Sequence, residues 1–124
     1  MICLLLQAFV KLMYFDLHLA RGDFATLYEQ VRSYPLGKAA PHRNMVERIN
    51  QAVGTACIWY WKEARCLQRS AVTACLLKKY GIPAQLVIGV QQMPFKAHAW
   101  VEAQGRVVND KPYTAEMYMV LDRC

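Results

Sequence analysis

The fold of this chain follows from CLQRSAVTACLLKKYGIPAQLVIGV, residues 66–90, where the apolar pattern changes from helical to strand-like. Residues 66–80 form a largely apolar run that the Gly-Ile-Pro of residues 81–83 ends, which is typical of a helix. Residues 85–90 are apolar and contain β-branched side chains, as expected of a buried central strand. The sequence therefore predicts a helix that begins at Cys66 and packs on a sheet.

The residues before Cys66 predict three further helices. The opening apolar residues follow helical spacing, and Gly22-Asp23 supplies a helix stop and an N-cap for a short helix to about Arg32. Pro41 precedes a third helix, in which apolar residues recur every three or four positions to about Trp61. The first half of the chain is therefore expected to be helical.

Two short segments after the central strand predict a β-hairpin that turns at Gln104-Gly105, between residues 98–102 and 106–110. In a three-residue loop with the glycine in the left-handed region, His98 faces Asp110 across the hairpin. In a two-residue loop, Asp110 lies on the other face of the sheet. We favour the three-residue loop because it pairs a carboxylate with an imidazole. Helices followed by an antiparallel sheet make an α+β fold.

Composition excludes several classes of protein. Five cysteines without paired spacing argue against a secreted disulfide framework and against a zinc site, so we expect a reducing compartment, the cytoplasm, and no bound metal. The 15 basic and 9 acidic residues give a net charge of +6, but the basic residues are spread along the chain. No motif indicates nucleic-acid binding.

The apolar start of the chain bears on membrane attachment. It lacks a basic n-region, and Lys11, Asp16 and His18 interrupt it well short of 18 residues, so we expect no membrane insertion. The predicted helix is apolar almost all round and must be covered. Either the domain's own core or a partner protein could cover it.

Three residues carry the candidate chemistry, because Cys66, His98 and Asp110 suit a nucleophile, a base and an orienting carboxylate. In the first turn of a helix and between Arg65 and Arg69, Cys66 is expected to have a thiol pKa below its ordinary value, which favours the attacking thiolate. In the favoured hairpin, Asp110 holds one nitrogen of His98 while the other nitrogen points to the thiol. No cofactor is expected.

Other cysteines and the tryptophans are expected to be structural. Cys57 and Cys75 lie on apolar helices and fit inert small apolar residues. Trp100 shares the sheet face of His98 and suits a packing wall beside it. Trp59 and Trp61 could line the cleft, but we favour packing in the core.

Four motifs within residues 41–112 carry a resemblance to a known family: CLQRS (66–70), LLKKYGIPA (76–84), LVIGV (86–90) and AHAWVE (97–102). With them the chain resembles the lasso-peptide leader peptidases, the stand-alone protease half of the split lasso maturation protein. These look like small members of the transglutaminase-like cysteine protease superfamily. The resemblance implies a papain-like core, in which the helix of the catalytic cysteine packs on a small antiparallel sheet.

The resemblance also implies roles and partners. It assigns Cys66 as nucleophile, His98 as general base and then acid, and Asp110 as the residue that orients His98. The implied activity is that of a thiol protease, a hydrolase that removes the leader from a ribosomally synthesised (RiPP) lasso-peptide precursor through an acyl-enzyme. The implied partners are that precursor, a separate small leader-binding protein and a separate ATP-dependent lasso cyclase. This chain lacks a glycine-rich nucleotide loop, so ring closure belongs to another protein.

Length sets the domain organisation. A chain of 124 residues with 56% hydrophobic content can bury one substantial core, and no Pro-, Gly- or Ser-rich linker divides it. We expect one domain over residues 1–124, with a helical N-terminal extension over 1–40 and a catalytic core over 41–124. Two other functions stay open on this scaffold. One is a different transglutaminase-like acyl transferase or deamidase, and the other is a catalytically silent peptide-binding module.

Overall fold

The structure is a computed structural model, and it describes residues 2–22, 24–38, 44–60, 66–92 and 95–124. The predicted α+β class is confirmed, since these residues form five helices and a four-stranded antiparallel sheet. Asp23, Pro41, Trp61 and Arg65, for which we made predictions, lie outside the described residues. The elements in chain order are α1 (Ile2–Ala20), α2 (Phe24–Ser33), α3 (Met45–Trp59), α4 (Cys66–Lys79), β1 (Gln85–Gln92), β2 (Phe95–Ala103), β3 (Arg106–Val107), α5 (Thr114–Met117) and β4 (Met119–Arg123).

Helix α4 lies at the centre of the fold. Its residues 70–77 are all buried, and they pack against α1 and α3 on one side and β2 on the other. Several of these residues are small, which allows the neighbouring backbones to approach closely. The helix ends in a left-handed cap, in which the Ile82 amide donates to Leu77 O at 2.9 Å across Gly81 at φ +89°. The predicted helix from Cys66 to the glycine is therefore confirmed.

The sheet has the strand order β3-β2-β1-β4, so the predicted central strand β1 lies between two partners. In the β1-β2 pairing, Gly89 lies opposite His98 and Val87 lies opposite Trp100. One face packs on α4 through residues such as Ala99, which is buried in the main core. Because side chains alternate along a strand, His98 and Trp100 point to the other face.

The hairpin loop differs from the prediction. Glu102 pairs with Val107 and Ala103 pairs with Arg106, so the loop has two residues and the predicted three-residue loop is wrong. Both loop residues, Gln104-Gly105, are left-handed, with φ of 55° and 76°. This is the backbone of a type I′ turn, whose twist matches that of the two strands. The geometry of the type I′ turn therefore decides the loop length, and not the pairing of His98 with Asp110 from which we predicted the longer loop.

The C-terminal segment forms α5 and β4, which the sequence did not predict. Strand β4 pairs with the open edge of β1, where Val90 lies opposite Met119, and the register shifts between Ile88 and Gly89. This segment brings Tyr118 onto the sheet face that carries His98.

Helix α1 buries one stripe and exposes another. Leu4, Ala8, Leu12 and Phe15 belong to the core, and α1 packs on α3 and α4. The core thus covers one face of this helix, as the first of the two alternatives predicts. An opposite stripe is exposed and includes Leu6, Val10, Met13 and Leu17.

The length argument against a membrane span does not hold. Residues Cys3–Ala20 are long and apolar enough to cross a membrane by length and composition, although 22% of this window is buried inside the fold. Lys11 and Asp16 are too few charged residues to exclude this segment as a candidate membrane span. A core helix of a soluble protein meets the same criteria.

Candidate active site

His98 and Asp110 form a direct pair. Nε2 of His98 lies 2.5 Å from Oδ2 of Asp110, and the two side chains are 25% and 29% exposed. The main-chain amide of Lys111 donates to the other carboxylate oxygen at 2.8 Å. Because Nε2 is bound by the carboxylate, Nδ1 is the ring nitrogen that a thiol could meet.

The contact forms although the hairpin register is not the predicted one. With the two-residue loop, a continued ladder would set Asp110 opposite Ala99 and on the wrong face. Strand β3 instead ends at Val107, and the chain bends over residues 108–110. The bend carries Asp110 back to His98, so the predicted contact is present for a reason that the sequence analysis did not give.

Cys66 is the first residue of α4 and is half-buried. It lines a small pocket of about 160 Å³ together with His98. The predicted contact between the imidazole and the thiol is not among the hydrogen bonds of the described residues, because the His98 side chain points to the sheet face opposite α4. In proteins without substrate, catalytic hydrogen bonds often tighten only when substrate binds. The lining is almost wholly apolar, and the full set is Phe24, Cys66, Leu67, Ile88, Ala97, His98 and Ala99.

Two aromatic rings hold the imidazole of His98 in place. Trp100 lies at a ring-centroid distance of 5.9 Å and Tyr118 at 5.3 Å. Trp100 is fully buried, so it acts as the predicted packing wall and cannot contact substrate directly. Tyr118 is the second wall, and it could not be predicted because its approach to His98 depends on the β1-β4 pairing.

Gly89 makes room for these rings. It lies opposite His98, and a Cβ atom at this position would lie 2.7 Å from Trp100 Cη2 and 3.0 Å from Tyr118 Cβ. Trp100 is fully buried and has little freedom to move. A side chain at Gly89 would therefore displace the walls of His98.

We expect Gly89→Ala to lower the free energy of unfolding by about 1–3 kcal/mol because it overpacks this face of the sheet. Urea unfolding measures the change. Gly54→Ala is the matched control, since a Cβ there has nothing within 4 Å. On helix α3 it should stabilise the protein by about 0.5–1 kcal/mol. Equal effects of the two substitutions would contradict the role assigned to Gly89.

The carboxyl group of Asp110 keeps its charge to lower pH than usual. Partial burial by itself would raise the pKa of Asp110, but the hydrogen bonds from His98 and from the Lys111 amide, with the charges of both residues, outweigh burial and lower it. Asp110 is therefore an acceptor for the imidazole at neutral pH.

This shift makes part of the stability pH-dependent. The carboxyl pKa is lower in the folded than in the unfolded chain, so the stabilisation by the charge is present above the unfolded value of about 3.9 and is lost as pH falls through the folded value. We expect the difference in free energy of unfolding between wild type and Asp110→Asn to be larger at about pH 6 than at about pH 3. Urea titrations at both pH values measure it, with the exposed Glu116→Gln as control. A difference that does not change with pH would contradict the prediction.

The first turn of α4 is tied to α1. Gln68 is buried, and its side-chain amide donates to Asp16 Oδ1 at 2.6 Å. The hydroxyl of Tyr60 donates to Asp16 Oδ2 at 3.1 Å, and burial together with this carboxylate raises the pKa of Tyr60 to about 12. The link joins α1, α4 and Tyr60, the residue that follows α3, and such a contact between distant segments has no local signal in the sequence. It anchors the turn that carries Cys66.

Cys57, Cys75 and Trp59 do not line this pocket. Cys75 is buried, and burial raises the pKa of its thiol to about 11, as expected of an inert residue. Cys57 is half-buried. Trp59 is 75% exposed at the end of α3, so the prediction that it packs in the core is wrong. Within the described ranges, His, Cys, Asp and Glu side chains form no group of three that could hold a metal ion.

A model of the transglutaminase-like superfamily matches residues 9–123. The chain is also similar to the microcin J25-processing protein McjB of Escherichia coli, with 41% identity over 56 residues. This stretch is 45% of the present chain and 27% of that relative, so the chain matches only about a quarter of the relative's length. No solved structure matches.

Proposed function

The chain belongs to the transglutaminase-like superfamily, and on this premise we propose that it is a cysteine peptidase that removes the leader from a lasso-peptide precursor. One observation carries the proposal. Cys66 and His98 line the same pocket, while Asp110 holds the ring nitrogen of His98 that a thiol would not use. The name of the Escherichia coli relative describes the processing of a microcin, which supports a peptide substrate.

In the proposed mechanism, Nδ1 of His98 takes the thiol proton of Cys66, and the sulfur attacks the scissile carbonyl carbon. The carbonyl oxygen becomes an oxyanion. His98 then returns the proton to the leaving amine, the C–N bond breaks, and an acyl-enzyme remains on Cys66. A water molecule, deprotonated by His98, attacks the thioester and releases the new carboxylate. Asp110 keeps the ring oriented and stabilises its positive charge in both half-reactions.

The main-chain amide of Cys66 is the proposed first donor to the oxyanion. Cys66 is the first residue of α4, and the first amides of a helix have no partner within it. The side chain of Gln68 is close in sequence but already donates to Asp16, so we do not assign it to the oxyanion.

We assign the activity to one domain of residues 1–124 in the cytoplasm, without membrane insertion, and its five free thiols suit a reducing compartment. The partners in this proposal are the precursor, a small leader-binding protein and an ATP-dependent cyclase. An apolar pocket of only about 160 Å³ suits the binding of one small side chain beside the scissile bond.

Mass spectrometry of a lasso-peptide precursor, with its leader still joined to its core, tests the function. The full chain is incubated with that peptide, with and without a leader-binding protein and with a primary amine. Peptidase activity yields two fragments whose summed mass exceeds that of the precursor by one water. Incorporation of the amine at glutamine with release of ammonia would support the acyl transferase instead, and an unchanged peptide that still binds would support the silent module.

A further inference from the structure

The side chain of Asn109 lies where the hairpin leaves its ladder. Its Oδ1 accepts from the Val101 main-chain amide at 2.8 Å, and its Nδ2 donates to Ser70 Oγ at 3.0 Å. The Ser70 hydroxyl in turn donates to Ala99 O at 3.1 Å, and Ser70 is buried with 1% exposure. One side chain thus ties β2, α4 and the segment before Asp110 together.

From these contacts we propose that Asn109 is a positioning residue that aims Asp110 at His98. This inference rests on the proposed function, because positioning matters only if the His98–Asp110 pair is catalytic. The contacts themselves do not depend on that function.

The side chain of Asn109 allows the main chain to bend at Val108. The Val108 amide still donates to Val101 O at 3.0 Å, as in an antiparallel ladder. The Val108 carbonyl, however, accepts from Asn50 Nδ2 of α3 at 2.6 Å instead of from Val101. The Asn109 side chain supplies the acceptor that the Val101 amide would otherwise lack. The main chain can therefore leave the strand without an unpaired amide, and Asp110 can reach the face of His98.

The side chain at residue 109 must carry an acceptor for the Val101 amide and a donor for the Ser70 hydroxyl on one short, planar group. An aspartate at residue 109 would keep the acceptor for Val101 but could not donate to Ser70. An alanine would leave both the Val101 amide and the Ser70 hydroxyl without this partner, which is costly where the groups are buried. Among the common side chains of this length, asparagine satisfies both contacts.

The test compares Asn109→Ala and Asp110→Ala with the double variant in peptide cleavage. A carboxylate displaced by about 1 Å can cost about a hundred-fold in rate, so we expect Asn109→Ala to lower kcat by about that factor with little change in KM. The double variant should be no slower than Asp110→Ala, because both changes remove the same orientation of His98. Asn44→Ala, at an exposed asparagine before α3, is the control. A kcat unchanged in Asn109→Ala, or additive losses in the double variant, would overturn the inference.

A second measurement separates this inference from the proposed function. NMR of the full chain can follow the proton on His98 Nε2, whose signal the bond to Asp110 shifts downfield. We expect Asn109→Ala to remove that shifted signal even if the protein cleaves no peptide. Should Asn109→Ala not fold, Asn109→Asp, which keeps the Val101 contact, replaces it, and we expect the signal to weaken. A signal unchanged in the folded variant would show that Asn109 does not position Asp110.

Discussion

Replacing Cys66 by alanine is expected to lower the rate of leader cleavage by at least about ten-thousand-fold while the fold stays intact. The sulfur forms the bond to the scissile carbonyl, and a methyl group cannot form it. The loss in free energy of unfolding should be small because Cys66 is half-buried at the start of α4, outside the fully buried residues 70–77. Single-turnover cleavage followed by mass spectrometry gives the rate, and urea unfolding gives the stability.

Cys57→Ala is the matched control for Cys66. Both thiols are half-buried and lie on helices packed against each other, but Cys57 does not line the pocket with His98. Its removal should leave cleavage unchanged. Iodoacetamide should also modify Cys66 faster than Cys57, because Cys66 shares a pocket with His98, the proposed base for its proton, and Cys57 does not line that pocket. Full cleavage by Cys66→Ala would assign the attack to another group, and equal alkylation rates would favour the silent binding module.

The helices and the central strand could be predicted because their signals are local. Helix α3 carries the apolar period of a helix, α4 and β1 are apolar runs of helix and strand length, and a glycine ends α4. The position of Cys66 at the start of α4 and the buried wall at Trp100 follow from these elements. Such features depend on residues that are close in the sequence.

The approach of Asp110 to His98 could not be predicted in the same way. It depends on Asn50 and Ser70, which lie on two other helices and 58 and 39 residues away from their partners in the hairpin segment. A regular ladder with a longer loop would also bring Asp110 to His98, but the protein uses a tight turn and a bend. Side-chain amides and hydroxyls that replace ladder hydrogen bonds leave no periodic signal in a sequence.

Strand β4 and the approach of Tyr118 to His98 could not be predicted from the sequence either. Strand β4 lies at an edge of the sheet, and Met119 and Leu121 are both 59% exposed, so the strand lacks a clear alternation of buried and exposed residues. Its pairing with β1 spans about thirty residues of chain, and this pairing brings Tyr118 to His98. For Trp59, in contrast, the sequence gives a misleading signal. Its large apolar side chain favours burial, but at the end of α3 it is exposed.

Replacing His98 by alanine is expected to lower cleavage by about ten-thousand-fold or more, because neither the thiol proton nor the proton for the leaving amine then has a carrier. Asp110→Ala should be less damaging by about two orders of magnitude, since the base is still present and only its orientation is lost. The rates of the two variants, measured with the same precursor peptide, give the comparison. His98→Asn accompanies His98→Ala because the ring packs between Trp100 and Tyr118, and a smaller residue could loosen that face.

The outcome separates the roles within the His98–Asp110 pair. If His98 and Asp110 act as a unit, the double alanine variant should be no slower than His98→Ala alone, because without the imidazole the carboxylate has nothing to orient. Iodoacetamide should modify Cys66 more slowly in His98→Ala than in wild type, while the rate at Cys57 stays the same. Full activity in Asp110→Ala would remove Asp110 from the catalytic group, and full activity in folded His98→Asn would remove the imidazole and, with it, the proposed mechanism.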